Sequence, residues 1–253
     1  MCGRYASFRQ AQDLADIFDV SLVAEDAAEL PPSWNVAPTD GARVVLERTV
    51  EPEAPEKAEA PTTGAPAEAV RREMHLARWG LVPHWAKDRS AGAKMINARV
   101  ESVASKSAFA TPLRTKRCLV VADGYYEWQK PAPGSGRVKK TPFFIRPADG
   151  SPLAFAGLYS WWRPQGDAAA PWLLTCTILT TAATGPMTEL HDRVPVILAP
   201  DHVDQWLDRS VTSADEAVAV AREPGPELSW YEVSTQVNAV RNDGPDLVAA
   251  IAG

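Results

Sequence analysis

The strongest constraint on the fold lies between Arg117 and Leu198, where strand-like segments succeed one another with no helical pattern between them. RCLVVA (117–122), YYEWQ (125–129), PFFIR (142–146), LAFAGLYSWW (153–162), WLLTCTILTT (172–181) and VPVIL (194–198) are rich in β-branched and aromatic residues. A parallel pair needs a crossover of about a dozen residues or more, usually a helix, so a repeated βαβ pattern is excluded. RVVLE (43–47) and MHLARWG (74–80) add two earlier strands. Helices are few. Ser7 with Gln10 resembles a capping box opening a helix near residues 8–18, and Ser213 with Glu216 opens another that Pro224 and Gly225 end. Asp201, Trp206 and Leu207 mark a short one. The expectation is an α+β fold: one domain over residues 2–253 with mostly antiparallel, partly closed β-sheets and a few peripheral helices. With 253 residues, 45% of them apolar, the chain can bury a full core.

One stretch falls outside that domain. EPEAPEKAEAPTTGAPAEA (51–69) is rich in Pro, Ala and Glu and has almost nothing to pack, so an acidic inserted loop is expected at about 48–70. Charge changes sign right after it. The whole chain carries −6, yet Arg71 to Arg117 holds eleven basic against three acidic residues, net +8, which leaves −14 for the rest. Such a run can be a plain solvated face. Trp79 and Trp85 lie within it and Trp34 upstream, and a basic strip with flat aromatics can also hold phosphates and stack unpaired bases.

Other classes lose support. No apolar run approaches the roughly 20 residues that span a bilayer, and MCGRYASFRQ has no apolar leader, so a cytoplasmic protein without membrane contact is expected. Cys2, Cys118 and Cys176 are odd in number and lack CxxC spacing, and His75, His84, His191 and His202 show no HxH or HExxH pattern. No metal and no cofactor are expected. No Walker loop or GxGxxG is present, and no heptad repeat asks for a dimer, so a monomer is expected.

Removal of Met1, easy before a small residue, would give Cys2 a free α-amine beside its thiol. The amine, near pKa 7.7 to 8.0, is partly unprotonated at neutrality, and a thiol at about 8.5 supplies some thiolate. An amine condenses with an aldehyde to an imine, and the neighbouring sulfur can close on it to form a five-membered thiazolidine. Position alone equally allows a Cys2 without a role. Glu127, set among Tyr126 and Trp128 in an aromatic strand, would have a raised pKa if desolvated, as a general acid or base needs; it would otherwise be a strand-face carboxylate paired with an arginine. His191, before Asp192 and Arg193 at the mouth of a strand, suits proton transfer or an ordinary surface role. Asn97 and Asn35 are polar side chains in apolar settings.

Eight blocks in order carry a resemblance: MCGRY, WNVAPT (34–39), RWGLVPHWAKD (78–88), INARVES (96–102), RCLVVADGYYEW (117–128), FAGLYSWW (155–162), TILTTAA (177–183) and LHDRVPVIL (190–198). Together they resemble the SOS response-associated peptidase family, whose members process abasic sites. The resemblance implies a protein that binds single-stranded DNA containing abasic sites and captures the abasic aldehyde through Cys2, after autoproteolytic loss of Met1, as part of the DNA damage response. It implies nucleoid association during damage if the source is bacterial. It implies Asn97 near the sugar, Glu127 in proton transfer and His191 as acid or base. Arg4, Asn35, Trp79, Trp85, Lys94 and Arg99 are expected to line the DNA groove. Two departures stand out: Asp192 where Asn is common and Val194 where Met is frequent.

Two other classes compete. N-terminal-nucleophile glutamine amidotransferases also begin Met-Cys-Gly, but this chain continues with Arg4 and contains no Asn-Gly dipeptide. A non-catalytic single-strand-binding module would leave Cys2 idle.

Overall fold

Side chains alternate across a strand, and in this protein both faces of the central strands are apolar, so each must be covered by a different layer. The computed structural model describes residues 2–50, 69–131 and 140–251. The larger sheet contains β2 (Leu22–Val23), β4 (Gly41–Val50), β5 (Ala69–Trp79), β7 (Arg117–Ala122), β10 (Leu153–Trp162), β11 (Leu173–Ala182) and β12 (Arg193–Pro195) in the order β12-β11-β10-β7-β4-β5-β2, with β6 (Asn97–Arg99) parallel to β11. A further parallel pairing, Thr175 with Arg78 and Cys176 with Trp79, joins β11 to β5 and closes five of these strands into a ring. The second sheet runs β13-β9-β8-β1-β3, from β1 (Tyr5–Ser7), β3 (Ser33–Val36), β8 (Gly124–Gln129), β9 (Thr141–Pro147) and β13 (Leu228–Glu232), and all of its pairs are antiparallel.

The two faces sort as alternation demands. Val44, Val120, Phe155 and Cys176 pack with Cys2 and with Tyr5 and Tyr125 of the second sheet. Val45, Leu119, Val121 and Ala156 instead face Leu14, Trp206 and Ala217 of the helices α1 (Ala11–Ile17), α2 (Pro200–Leu207) and α3 (Ala214–Val220). At about 25 cal/mol per Å² of apolar surface, these two clusters supply most of the drive to fold. Gly124 lets β8 approach β9, since a Cβ there would run into the Phe144 ring and the Ile145 carbonyl.

Several expectations change in detail. The α+β fold with mostly antiparallel, partly closed sheets is the observed one. The inserted loop is shorter than the expected 48–70, because Arg48 to Val50 pair with Ala69 to Arg71 as the end of the β4–β5 hairpin. Residues 51–68 lie outside the described residues. The box at Ser7 does not form: Ser7 belongs to β1, and Asp123 accepts from the Phe8 and Arg9 amides at 2.7 and 3.1 Å. The box at Ser213 does form, its hydroxyl accepting from Glu216 N at 3.3 Å. Among the described residues no helix is long and apolar enough to cross a membrane.

Candidate active site

Cys2 is fully buried where the two sheets meet, just before β1. β1 lies between β3 and β8, and the Tyr5–Tyr125 register sets the end of the chain beside the strand that carries Glu127. The floor is aromatic: Tyr5 meets Trp79 edge-on at 5.1 Å between ring centroids, and Tyr5 and Tyr125 both pack against Phe155. The opposite wall comes from the larger sheet. Asn97, held on β6 through the pairing with Ile178, donates from Nδ2 to the Cys2 carbonyl at 2.7 Å. This bond joins residues far apart in sequence and fixes the backbone of Cys2, while Asn97 Oδ1 has no hydrogen-bond partner among the described residues.

Electrostatics set the protonation states. Burial pushes the Cys2 thiol well above its ordinary value, and the Glu127 charge pushes it further. Burial thus disfavours the thiolate that the ordinary thiol value would supply. Burial also raises the Glu127 carboxyl, partly offset by the charge of His191, so Glu127 titrates closer to neutrality than a surface glutamate. Tyr125 was not singled out as a site residue, although strand alternation puts it on the Glu127 face. It is fully buried, its phenol raised by burial and then by Cys2 and Glu127, and its hydroxyl has no hydrogen-bond partner among the described residues.

His191 precedes β12, with Nδ1 2.7 Å from Asp192 Oδ1 and 3.0 Å from the Arg193 amide nitrogen. The ring is thus anchored through Nδ1. Arg193 is itself clamped to Glu101 by two hydrogen bonds of 2.7 and 3.0 Å and to the Thr180 carbonyl at 2.7 Å.

The six residues expected along a groove divide in two. Trp85, Lys94 and Arg99 are exposed on or beside the 80–99 segment. Arg4, Asn35 and Trp79 turn inward. Trp79 is fully buried, with its indole N–H donating to the Ile96 carbonyl at 2.9 Å, so it supports Tyr5 from below and offers no face to a ligand. Asn35 spends its amide on the Ala239 and Asn242 carbonyls at 3.2 and 2.8 Å and receives Arg4 Nη1 at 2.8 Å, so this pair ties the C-terminal segment to β3. The basic run is dispersed by the fold as well. Arg71 and Arg72 pair with Glu73 and Glu47, and Arg117 donates to the carbonyls of Leu113 and Trp206, beside the ends of two helices.

The sequence pattern of SOS response-associated peptidases matches residues 1–240. The chain belongs to the SOS response-associated peptidase family. Among relatives of this family, the abasic site processing protein YoqW of Bacillus subtilis is 33% identical over 250 residues, covering 98% of this chain and 99% of that one. The abasic site processing protein YedK of Escherichia coli is 31% identical and covers 99% of this chain and all of its own. Two solved structures share the fold. A Bacteroides thetaiotaomicron protein has a TM-score of 0.76 at 20% identity over 99% of this chain and 100% of its own, and a phage-related protein from Bordetella bronchiseptica has 0.58 at 31% over 92% and 94%.

Proposed function

We propose that this protein processes abasic sites in single-stranded DNA by covalent capture through Cys2, shielding the damaged strand from cleavage. The curated relatives that match it from end to end are named abasic site processing proteins. The observation that carries the reading is a cysteine at position 2 with its carbonyl held by Asn97 and its thiol beside a desolvated Glu127.

The chemistry begins with hydrolysis of the Met1–Cys2 amide, which consumes one water and frees the Cys2 amine. Only the open form of an abasic sugar bears an aldehyde, so the ring must first open; His191 and Glu127 supply proton transfer for this. The amine lone pair adds to the aldehyde carbon, and loss of water leaves an imine. The thiol then adds across the C=N bond: a C–S bond forms, and the sulfur's proton ends on nitrogen. Because that proton is only relayed, a neutral buried thiol suffices. The capture step releases one water and needs no oxidant, metal or cofactor. Glu127, raised by burial, can take a proton from the amine or the thiol and return it within the pocket. Exposed Trp85, Lys94 and Arg99 offer the strand stacking and phosphate contacts.

The test mixes the protein with single-stranded DNA bearing one abasic site and resolves the products on a denaturing gel. A heat-stable adduct is expected with wild type, none with undamaged DNA and none with Cys2→Ala. Equal shifts for wild type and Cys2→Ala would overturn the reading. A protein that binds the strand and never forms an adduct would instead be the non-catalytic module.

A further inference from the structure

Two large side chains stand out against a surface that otherwise hides its aromatics. Trp85 and Trp172 are 49% and 55% exposed, while Trp79 and Trp206 are fully buried. Exposed indoles cost free energy unless a partner covers them. Trp172 lines a cavity of about 490 Å³ with His84, Arg163, Gln165 and Asp167 at the β10–β11 turn. Gln165 Nε2 donates to the Trp85 carbonyl at 3.2 Å and so joins that turn to the 80–96 segment.

The cavity is built rather than incidental. The Arg163 guanidinium lies 4.5 Å from the centre of the Trp172 ring, and its Nη1 donates to the Ala168 carbonyl at 3.2 Å, so cation and ring are held together before any ligand arrives. A second cavity of about 250 Å³ continues past Trp172 to Trp161, His75 and Arg78. Arg78 Nη1 is buried with no hydrogen-bond partner among the described residues. Burial and the nearby charge of Arg89 both disfavour its charged form, which an anion would relieve. Acidic groups are present too. Asp167 is turned to the Ala169 and Ala170 amides, Asp88 caps Ser90, and Asp26 lines the second cavity. With Lys87 also exposed, the surface alternates cations and rings, the pattern that grips a single strand by stacked bases and phosphates.

We infer that the Arg163–Trp172 surface is a second contact for single-stranded DNA, holding unpaired bases of the strand that flanks the captured site. The inference rests on the proposed function, and it goes beyond it by assigning work to the β10–β11 turn. Geometry gives the reach. Trp172, just before β11, precedes Ile178, the register partner of Asn97, by six residues, or about 20 Å at roughly 3.3 Å per residue. A strand stacked at about 3.4 Å per nucleotide covers that in about six nucleotides. Lys94 and Arg99 lie on the segment that leads from Trp85 toward Asn97.

The experiment measures, by fluorescence anisotropy, affinity for single-stranded DNA bearing one tetrahydrofuran abasic analogue, which has no aldehyde and forms no adduct, in wild type, Trp172→Ala and Arg163→Ala. Melting curves for each variant report folding. Trp172→Ala should weaken binding of a long oligonucleotide by about 5- to 150-fold, the range for losing one stacked base. The loss should disappear for oligonucleotides cut to fewer than about six nucleotides on one side of the abasic position. Adduct yield at saturating abasic DNA should be unchanged, since Cys2 is untouched. Folded variants that bind every length like wild type would overturn the inference, and so would a loss independent of flank length. Absence of an adduct from wild type would strike the proposed function instead, and the anisotropy result would stand apart from it.

Discussion

Glu73 and Glu127 are buried to the same degree, 1% and 2% exposed, and their environments drive them in opposite directions. Burial pushes Glu73 up, but hydrogen bonds from His75 and Arg71, 2.7 Å each, and the charge of Arg48 outweigh it and leave the carboxyl below its usual range. At Glu127 desolvation wins over the charge of His191, and the carboxyl is raised beside a thiol that is raised with it. The lesson is that burial alone does not mark a working carboxylate; what surrounds it does. Glu73 is a keystone between β4 and β5, whereas Glu127, raised in the Cys2 pocket, is the carboxylate to which the proposed function gives proton transfer.

Substitution should separate the two roles. Glu127→Gln should slow adduct formation by about 10²- to 10⁴-fold, the usual contribution of a general acid or base, in single-turnover assays with abasic DNA. Its thermal midpoint at pH 7 should hold or rise, because a raised carboxyl costs stability above its unfolded value and the amide removes that cost. An unchanged rate would erase the contrast from the catalytic side. The pH profile sharpens it: adduct formation should fall as pH drops through the raised Glu127 value, by up to the same factor, and Glu127→Gln should lose that limb.

Glu73→Gln should do the reverse. Its adduct rate should match wild type, while stability at pH 7 falls by about 1 to 3 kcal/mol, a few degrees in the melting curve. Arg48 and Arg71 are partly exposed and can turn to water, which keeps the loss at the lower end. A lowered carboxyl stabilises the fold fully above its unfolded pKa of about 4.3, and that contribution is lost as pH falls through the lower folded value. In Glu73→Gln this acid-side loss should therefore be smaller than in wild type. The smallest effect is expected from Asn97→Ala, which removes the bond to the Cys2 carbonyl and should slow capture about two- to tenfold, read in the same single-turnover assay.

The same pair of carboxylates shows what was legible before the structure. Glu127 could be read from its aromatic neighbours and its block in the family pattern, whereas Glu73 looked like one acid inside a basic run. Its partners are close in sequence, but their grouping depends on the β4–β5 register, which brings Arg48 opposite Arg71. β7 and β10 were readable to the residue, because strands buried on both faces are unbroken apolar runs with clear ends. β1, β3 and β6 were not, being three or four residues long and held by distant partners. Cys2, Asn97 and Glu127 were each named from motifs, yet no spacing in the chain says that Asn97 grips the Cys2 carbonyl. Trp79 was misread for a related reason: tryptophan in a basic stretch looks available for stacking, and only the packing under Tyr5 shows otherwise.

The most direct measurement is the intact mass of the protein after incubation with an abasic single-stranded oligonucleotide and denaturation. The expected species is the chain without Met1 plus the oligonucleotide minus one water, absent in Cys2→Ala. A protein that keeps its free mass, or an adduct of the same mass in Cys2→Ala, would contradict capture through Cys2.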